Sequence, residues 1–502
     1  MSWNLNENLR KSTEKFPNRL SLTFANESMT YRELDSTVDL VASNLIHYGI
    51  KKGDKVALLL GNCTEFVIAY YGILRAGGVV VPINPIYTGD EISYILSNSQ
   101  SKAVIANTSL EFVLANLKEQ LNDLEMTFYI ESTWELLVQA ADRYDYPLIN
   151  EDDLAMILYT SGTTGKPKGA MLSQRNMAST AASFTKLIEF KETDRILAVL
   201  PMFHVFCMTV CINAPIMCGA NIVISQKFSP TDVIQTILNE KITLFAGVPT
   251  MYSYLMQVKD FSADHFSSVR VCLSGGASIP VELLLRFEGK FNTTVLEGFG
   301  CSETSAITAI NPLKGNKKTG SVGVDIPYVV NMIVDPNGVE VPRGEVGELI
   351  VKGPNIMIGY FGMPDATASS LKNGWFYTGD LAKRDKEGYI YIVDRKKDMV
   401  LVGGYNVYPR EVEEVLYQHP AIVEAAIIGI PDHHYGESVK AFVVCSNESV
   451  TTDELFYFCK IKLAKYKVPK EIEIISEMPK NSTGKILRRG LLAPEEIPAE
   501  MN

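Results

Sequence analysis

Short, continuous apolar runs recur along this 502-residue chain, and most break into glycine within a few residues. Runs at 56–60, 79–82, 154–158, 195–200, 221–224, 242–246, 269–273 and 294–296 lack the alternation of half-solvated strands. They read as strands buried on both faces. Helices are signalled between them. Thr30-Tyr31-Arg32-Glu33 and Thr88-Gly89-Asp90-Glu91 are capping boxes. Leu34, Val38, Val41 and Leu45 keep one apolar face, and Gly49 ends it. Residues 65–75 read as a helix closed by Gly77 and Gly78, and Ser173 and Ser229-Pro230 open further helices. Strand alternating with helix predicts an α/β fold with mostly parallel sheet. Gly247-Val248-Pro249, Ser274-Gly275-Gly276-Ala277 and Gly298-Phe299-Gly300 each follow such a run. Ligands in open α/β sheets bind where strands end, so these turns are expected to line one site.

From Gly320 the texture changes. Glycine turns become frequent, and 347–351 and 389–393 read as strands of a β-rich subdomain. Residues 394–398 are a charged break. Beyond it, a helix from Pro409 to about Gln418, a strand at 439–445 and a helix at 452–465 make a smaller α+β domain. The expected organisation is a large N-terminal domain over 1–396 and a small C-terminal domain over 397–502, since the length exceeds one domain.

Net charge is −11, which excludes a general nucleic-acid binder. The eight cysteines are dispersed, and Cys207 and Cys211 lack a second Cys/His pair to complete a zinc site. Buried free thiols in a reducing cytoplasm are expected. No signal peptide or transmembrane helix is visible; the apolar window 205–224 carries Asn213, Pro215 and Asn221. At most peripheral membrane contact is expected, and the oligomeric state is left open, with a homodimer among the options.

The most unusual stretch is 159–169: Tyr159, Thr160, Ser161, Gly162, Thr163, Thr164, Gly165, Lys166, Pro167, Lys168, Gly169. Glycines bring backbone N–H groups to phosphate oxygens, hydroxyls add donors, and lysines add charge. The bland alternative is a flexible surface turn. A Walker A loop is excluded, because Gly162 and Gly165 have only two residues between them and Pro167 follows Lys166.

Five motifs occur in order: 159–169, Gly298-Phe299-Gly300-Cys301-Ser302-Glu303, Tyr377-Thr378-Gly379-Asp380, 394–398, and 479–485 ending in Lys485. This order resembles the adenylate-forming (AMP-binding) enzymes, and through Pro201-Met202-Phe203-His204-Val205-Phe206 and 403–409 the chain is similar to bacterial long-chain fatty-acid–CoA ligases. The resemblance implies an ATP-dependent, two-step reaction. A fatty acid, of medium or long chain, attacks ATP to give acyl-AMP and pyrophosphate; CoA then takes the acyl group. An aryl-CoA ligase or a carrier-loading adenylating enzyme shares these motifs. A non-catalytic nucleotide-binding regulator is disfavoured by Lys485, Glu303 and Asp380.

Residue by residue, the resemblance implies that Thr160 to Lys168 hold the leaving pyrophosphate. Glu303 holds Mg²⁺. Gly275, Gly276 and Ala277 line the adenine pocket. Phe299, where the family commonly has tyrosine, lies against the adenine face. Gly298, Gly300 and Ser302, the last in place of the usual threonine, bind the nucleotide. Asp380 meets the ribose hydroxyls, and Arg395 makes a second ribose or phosphate contact. Lys485 bridges two anions, the carboxylate and the α-phosphate, a contact whose loss costs about 3 kcal/mol of transition-state stabilisation. Lys397 occupies the hinge of a mobile C-terminal domain. Gly403, Gly404 and Tyr405 approach the pantetheine arm in the second step, and 460–467 is a solvated helix face or a CoA-phosphate contact. His204 gates the acyl pocket, orders the carboxylate, or is a core histidine. Val205, Phe206, Cys207, Gly247, Val248, Pro249 and Thr250 are the acyl-pocket candidates. They carry no charge, which favours an apolar acid over an amino acid.

Overall fold

The computed structural model describes residues 2–140, 144–160, 167–259, 261–446, 449–481 and 484–491. Two mixed sheets form the larger part. The first has nine strands, and its centre is parallel: Val295–Phe299, Val271–Ser274, Leu244–Gly247, Arg195–Ala198, Asn221–Ile224 and Leu20–Phe24 lie side by side in that order. Antiparallel strands close both edges. The second sheet has Leu154–Thr160, Val79–Pro82, Lys55–Leu59, Ser101–Ala106 and Met126–Tyr129 in parallel. Lys168–Ser173 and Gly359–Tyr360 extend it antiparallel. The α/β expectation therefore holds, with reversed strands only at the margins.

One apolar core joins both sheets and the helices packed on them, with Phe66, Tyr70, Leu197 and Phe245 fully buried. The capping boxes form as expected at Thr30 with Glu33 and at Thr88 with Glu91. Ser173 caps its helix with Asn176. Ser229 makes no side-chain cap among the described residues, although Pro230 stands at the first turn. Arg75, expected only as the end of a helix, is fully buried; it pairs with Asp35 at 2.5 Å and Asp39 at 2.7 Å, which compensates its charge between two helices.

The strands run farther than their apolar letters. Gly247, Ser274 and Glu297 are still in register with their neighbours. Gly298 and Phe299, expected in a turn, are ladder residues paired with Ile310 and Ala309. Ladder hydrogen bonds use backbone alone, so a glycine need not end a strand. The helix expected over 452–465 stops at Lys462, because Leu463 is extended.

Residues 330–395 build an antiparallel sheet with a small core of Ile333, Leu349, Ala382 and Ile390. Residues 400–474 build a mixed sheet, antiparallel through Val400–Val402, Tyr405–Val407, Ile422–Asp432 and Gly436–Cys445 and joined in parallel by Glu471–Ile474, with two helices and a separate core around Val412, Leu416, Ile427 and Leu455.

Candidate active site

The site is assembled at the ends of the first sheet's central strands. Strand Val295–Phe299 ends at Gly300, where a Cβ would stand 1.7 Å from the Ala306 carbonyl oxygen. Only glycine lets the chain fold back that tightly. The tight return makes a 3₁₀ turn, Ser302–Thr304, in which the Cys301 N–H donates to Thr304 Oγ1 at 3.0 Å. Gly300 is thus a packing requirement.

The turn presents Glu303. The Tyr360 hydroxyl donates to Glu303 Oε1 at 2.9 Å. Tyr360 stands on the edge strand Gly359–Tyr360, opposite Ala170. Lys168 Nζ lies 5.4 Å from the centre of the Tyr360 ring. Thr160 and Lys168 face each other across the hairpin, with Thr160 Oγ1 donating to the Lys168 carbonyl at 3.4 Å. The root of the glycine-rich hairpin, Tyr360 and Glu303 are therefore one connected wall. Ser161, Gly162, Thr163, Thr164, Gly165 and Lys166 lie outside the described residues.

Asp380 and Arg395 come from adjacent strands, in register. Arg395 Nε is 3.4 Å from Asp380 Oδ1, and Asp380 is 5% exposed. Burial pushes the Asp380 carboxyl up, Arg395 and Lys485 oppose that, and Glu303 adds to it. Four charges from separate segments thus share one field.

Lys485 sits on a short hairpin. Its N–H donates to Asn481 Oδ1 at 2.9 Å, its carbonyl accepts from the Asn481 N–H at 2.9 Å, and Lys480 bridges to Ile486 across it. The side chain is walled by protein yet open to water, as in a cleft. Burial pushes its ammonium down to about 8, and Arg395 and Arg488 push the same way against Asp380 and Asp398. His204 faces this lysine. Burial, helped by Lys485, holds the imidazole down at about 4, so it is neutral. Its Nδ1 accepts from the Phe206 N–H at 3.2 Å, which leaves the proton on Nε2. His204 therefore caps the helical segment that continues into a π-helix, Met208–Asn213. Thr209 Oγ1 of that π-helix donates to the Ser305 carbonyl at 3.2 Å, tying the segment to the Glu303 turn.

Gly275 backs onto the Phe206 ring and Gly276 onto Val248, and Ala277 follows them. Ser302 is half-buried, and Phe299 packs partly against the small core of the 330–395 sheet. Among the pocket candidates, Phe206, Pro249 and Thr250 are half-buried. Val205, Cys207, Gly247 and Val248 are buried, and Val205, Cys207 and Val248 belong to the core.

Among the described residues, Gly403, Gly404 and Tyr405 make no contact with this cluster. The glycines make a two-residue hairpin turn with φ of +56° and +86°, and Tyr405 stacks on Tyr466 at 4.8 Å. In the basic run, Lys467 pairs with Glu411 at 2.6 Å while Lys460, Lys462 and Lys465 are exposed. Two residues went unread in the sequence. Tyr360 carries only a Gly-Tyr pair as its signal. Arg488 binds Asp398 at 3.1 Å and Glu413 at 2.7 Å, and looked like one more tail cation.

The family profile described as AMP-binding enzyme matches residues 9–361, and its C-terminal domain profile matches 411–485. A long-chain-fatty-acid–CoA ligase of Bacillus subtilis is 38% identical, covering 97% of this chain and 94% of its own. ATP-bound MatB from Rhodopseudomonas palustris superposes with a TM-score of 0.93 at 32% identity over 98% of each chain, against 0.82 for its apo form. The anthranilate CoA ligase AuaEII, in complex with anthranoyl-AMP, gives 0.93 at 28% identity over 97% and 96% of the two chains.

Proposed function

The chain belongs to the AMP-binding enzyme family, and from that premise we propose that it is an ATP-dependent acid–CoA ligase acting on a medium- or long-chain fatty acid. The observation that carries this reading is the convergence of Glu303, Asp380, Arg395 and Lys485 from four segments beside the hairpin root at Thr160 and Lys168. The similarity to fatty-acid–CoA ligases over nearly the whole chain supports the acid class.

In the first step a carboxylate oxygen attacks the α-phosphorus of ATP, the bond to pyrophosphate breaks, and acyl-AMP forms. The carboxylate is already ionised at neutral pH, so no base is required. The obstacle is bringing two anions together. Lys485 stands between them and offsets both charges. Asp380 accepts from the ribose hydroxyls, with Arg395 beside it. Thr160 and Lys168 hold the departing pyrophosphate together with residues 161–166. His204, being neutral, adds no charge at the carboxylate; its Nε2–H is the available donor.

Glu303 fits Mg²⁺. It offers hard anionic oxygens, and Tyr360 fixes one of them. Bound there, the ion would neutralise phosphate charge.

In the second step the CoA sulfur attacks the acyl carbonyl, the thiol proton is lost, and AMP leaves. The C-terminal domain, 397–502, turns about Lys397 to bring Gly403, Gly404 and Tyr405 to the cleft. The better fit to ATP-bound MatB supports the present arrangement as the first-step one. An aromatic acid is the second reading, favoured by the likeness to the anthranilate ligase. Pyrophosphate release over acids from acetate to palmitate and benzoate, with and without CoA, separates the two. Turnover confined to benzoate-type acids would overturn the fatty-acid reading.

A further inference from the structure

The hairpin that carries Lys485 has two arms, and both rest on one face of the helix Pro249–Gln257. On one arm, a Cβ at Gly484 would lie 2.7 Å from Thr250 Oγ1. On the other, Lys480 Nζ donates to the Tyr254 hydroxyl at 2.9 Å and lies 5.0 Å from the centre of that ring. Thr250 and Tyr254 are four residues apart, so one helix face receives both arms. Lys480 does not reach across as a free tether. It is anchored behind by Glu424 Oε1 at 2.6 Å, and the two side chains are 17% and 8% exposed. Glu424 sits on the strand Ile422–Asp432 in the C-terminal core sheet. A chain of contacts thus runs from that sheet, through Glu424 and Lys480, to Tyr254 on the other side of the cleft. A second dock lies apart from it: the Val281 N–H, opening helix Val281–Phe291, donates to Glu414 Oε2 at 3.3 Å.

We infer that Lys480 and Tyr254 are positioning residues for the adenylation step: their contact sets the Lys485 hairpin in register with the cleft, and it is made only in the adenylating arrangement. The inference rests on the ligase reading above. Tyr254 touches no reactant in it, so its effect must pass through Lys485. The same hydroxyl has no part in thioester formation, because the hairpin leaves the cleft when the C-terminal domain turns.

The test measures the two half-reactions of the full-length enzyme separately: ATP–pyrophosphate exchange with palmitate, and thioester formation from supplied palmitoyl-AMP and CoA. Tyr254→Ala is expected to slow exchange about tenfold or more through kcat, with KM for ATP within about twofold. Thioester formation stays within about twofold of wild type. Tyr254→Phe, which keeps the ring, falls between. Lys480→Met leaves Glu424 buried without a partner and is read only beside Lys480→Arg, which restores exchange. Equal loss of both half-reactions in Tyr254→Ala, or unchanged exchange, overturns the positioning role while the ligase reading stands. Absence of exchange in the wild type with every acid overturns both.

Discussion

Tyr360 reaches across from an edge strand of the second sheet to donate its hydroxyl to Glu303 Oε1 at 2.9 Å, joining the hairpin side of the cleft to the end of the first sheet. The bond fixes one carboxylate oxygen of Glu303. Partners of this kind around metal ligands usually matter about 10- to 100-fold in metal affinity or activity. Tyr360→Phe is expected to raise the Mg²⁺ concentration for half-maximal pyrophosphate release by that factor, with little change in thermal stability. A magnesium titration of release rates checks it; an unshifted titration contradicts the role given to Tyr360.

Lys485 must be protonated to offset two anions, and its surroundings hold the ammonium down at about 8. In the free enzyme kcat/KM for adenylation is therefore flat below pH 8 and falls about tenfold per unit above it. ATP, once bound, pushes the lysine back up, so kcat alone turns down at higher pH. Lys485→Arg cannot lose its proton in this range, and its weaker activity should show no alkaline limb. A limb that survives the substitution belongs to another group.

Glu297 is fully buried in the middle of the strand Val295–Phe299; Oε1 accepts from the Ile279 N–H at 3.3 Å and Oε2 has no partner among the described residues. Burial pushes its carboxyl up to about 7, Arg410 opposes, and Glu414 adds to the rise. The ordinary value is 4.5. The native state thus binds more protons than the unfolded one between these values, so stability falls as pH rises from 4.5 to 7. The full penalty, about 3 kcal/mol, is present above 7. Glu297→Gln should raise the melting midpoint at pH 8 and change it little at pH 5. An equal shift at both would contradict the linkage.

Gly300→Ala would place a methyl 1.7 Å from the Ala306 carbonyl oxygen. Backbone must move, at a cost of about 3 kcal/mol or more. The turn that carries Glu303 moves with it. A drop of several degrees in melting midpoint, together with a weakened Mg²⁺ response, is expected. A silent substitution would mean that the tight return is not needed.

What could be read from sequence here was local. The strand-glycine units of the large domain and the capping boxes at Thr30 and Thr88 sit within a few residues of their own signals. Arg395 opposite Asp380 depends on strand register, which adjacent motifs do not reveal. Tyr360 was missed because its partner is 57 residues away, and Lys480 because Tyr254 is 226 residues away.

Lys485→Ala puts the proposed mechanism to its most direct test. Acyl-AMP formation, followed as ATP–pyrophosphate exchange with palmitate, should fall by about 10²-fold or more, while supplied palmitoyl-AMP still reacts with CoA at close to the wild-type rate. Equal loss of the two half-reactions, or exchange that persists without the lysine, would contradict it.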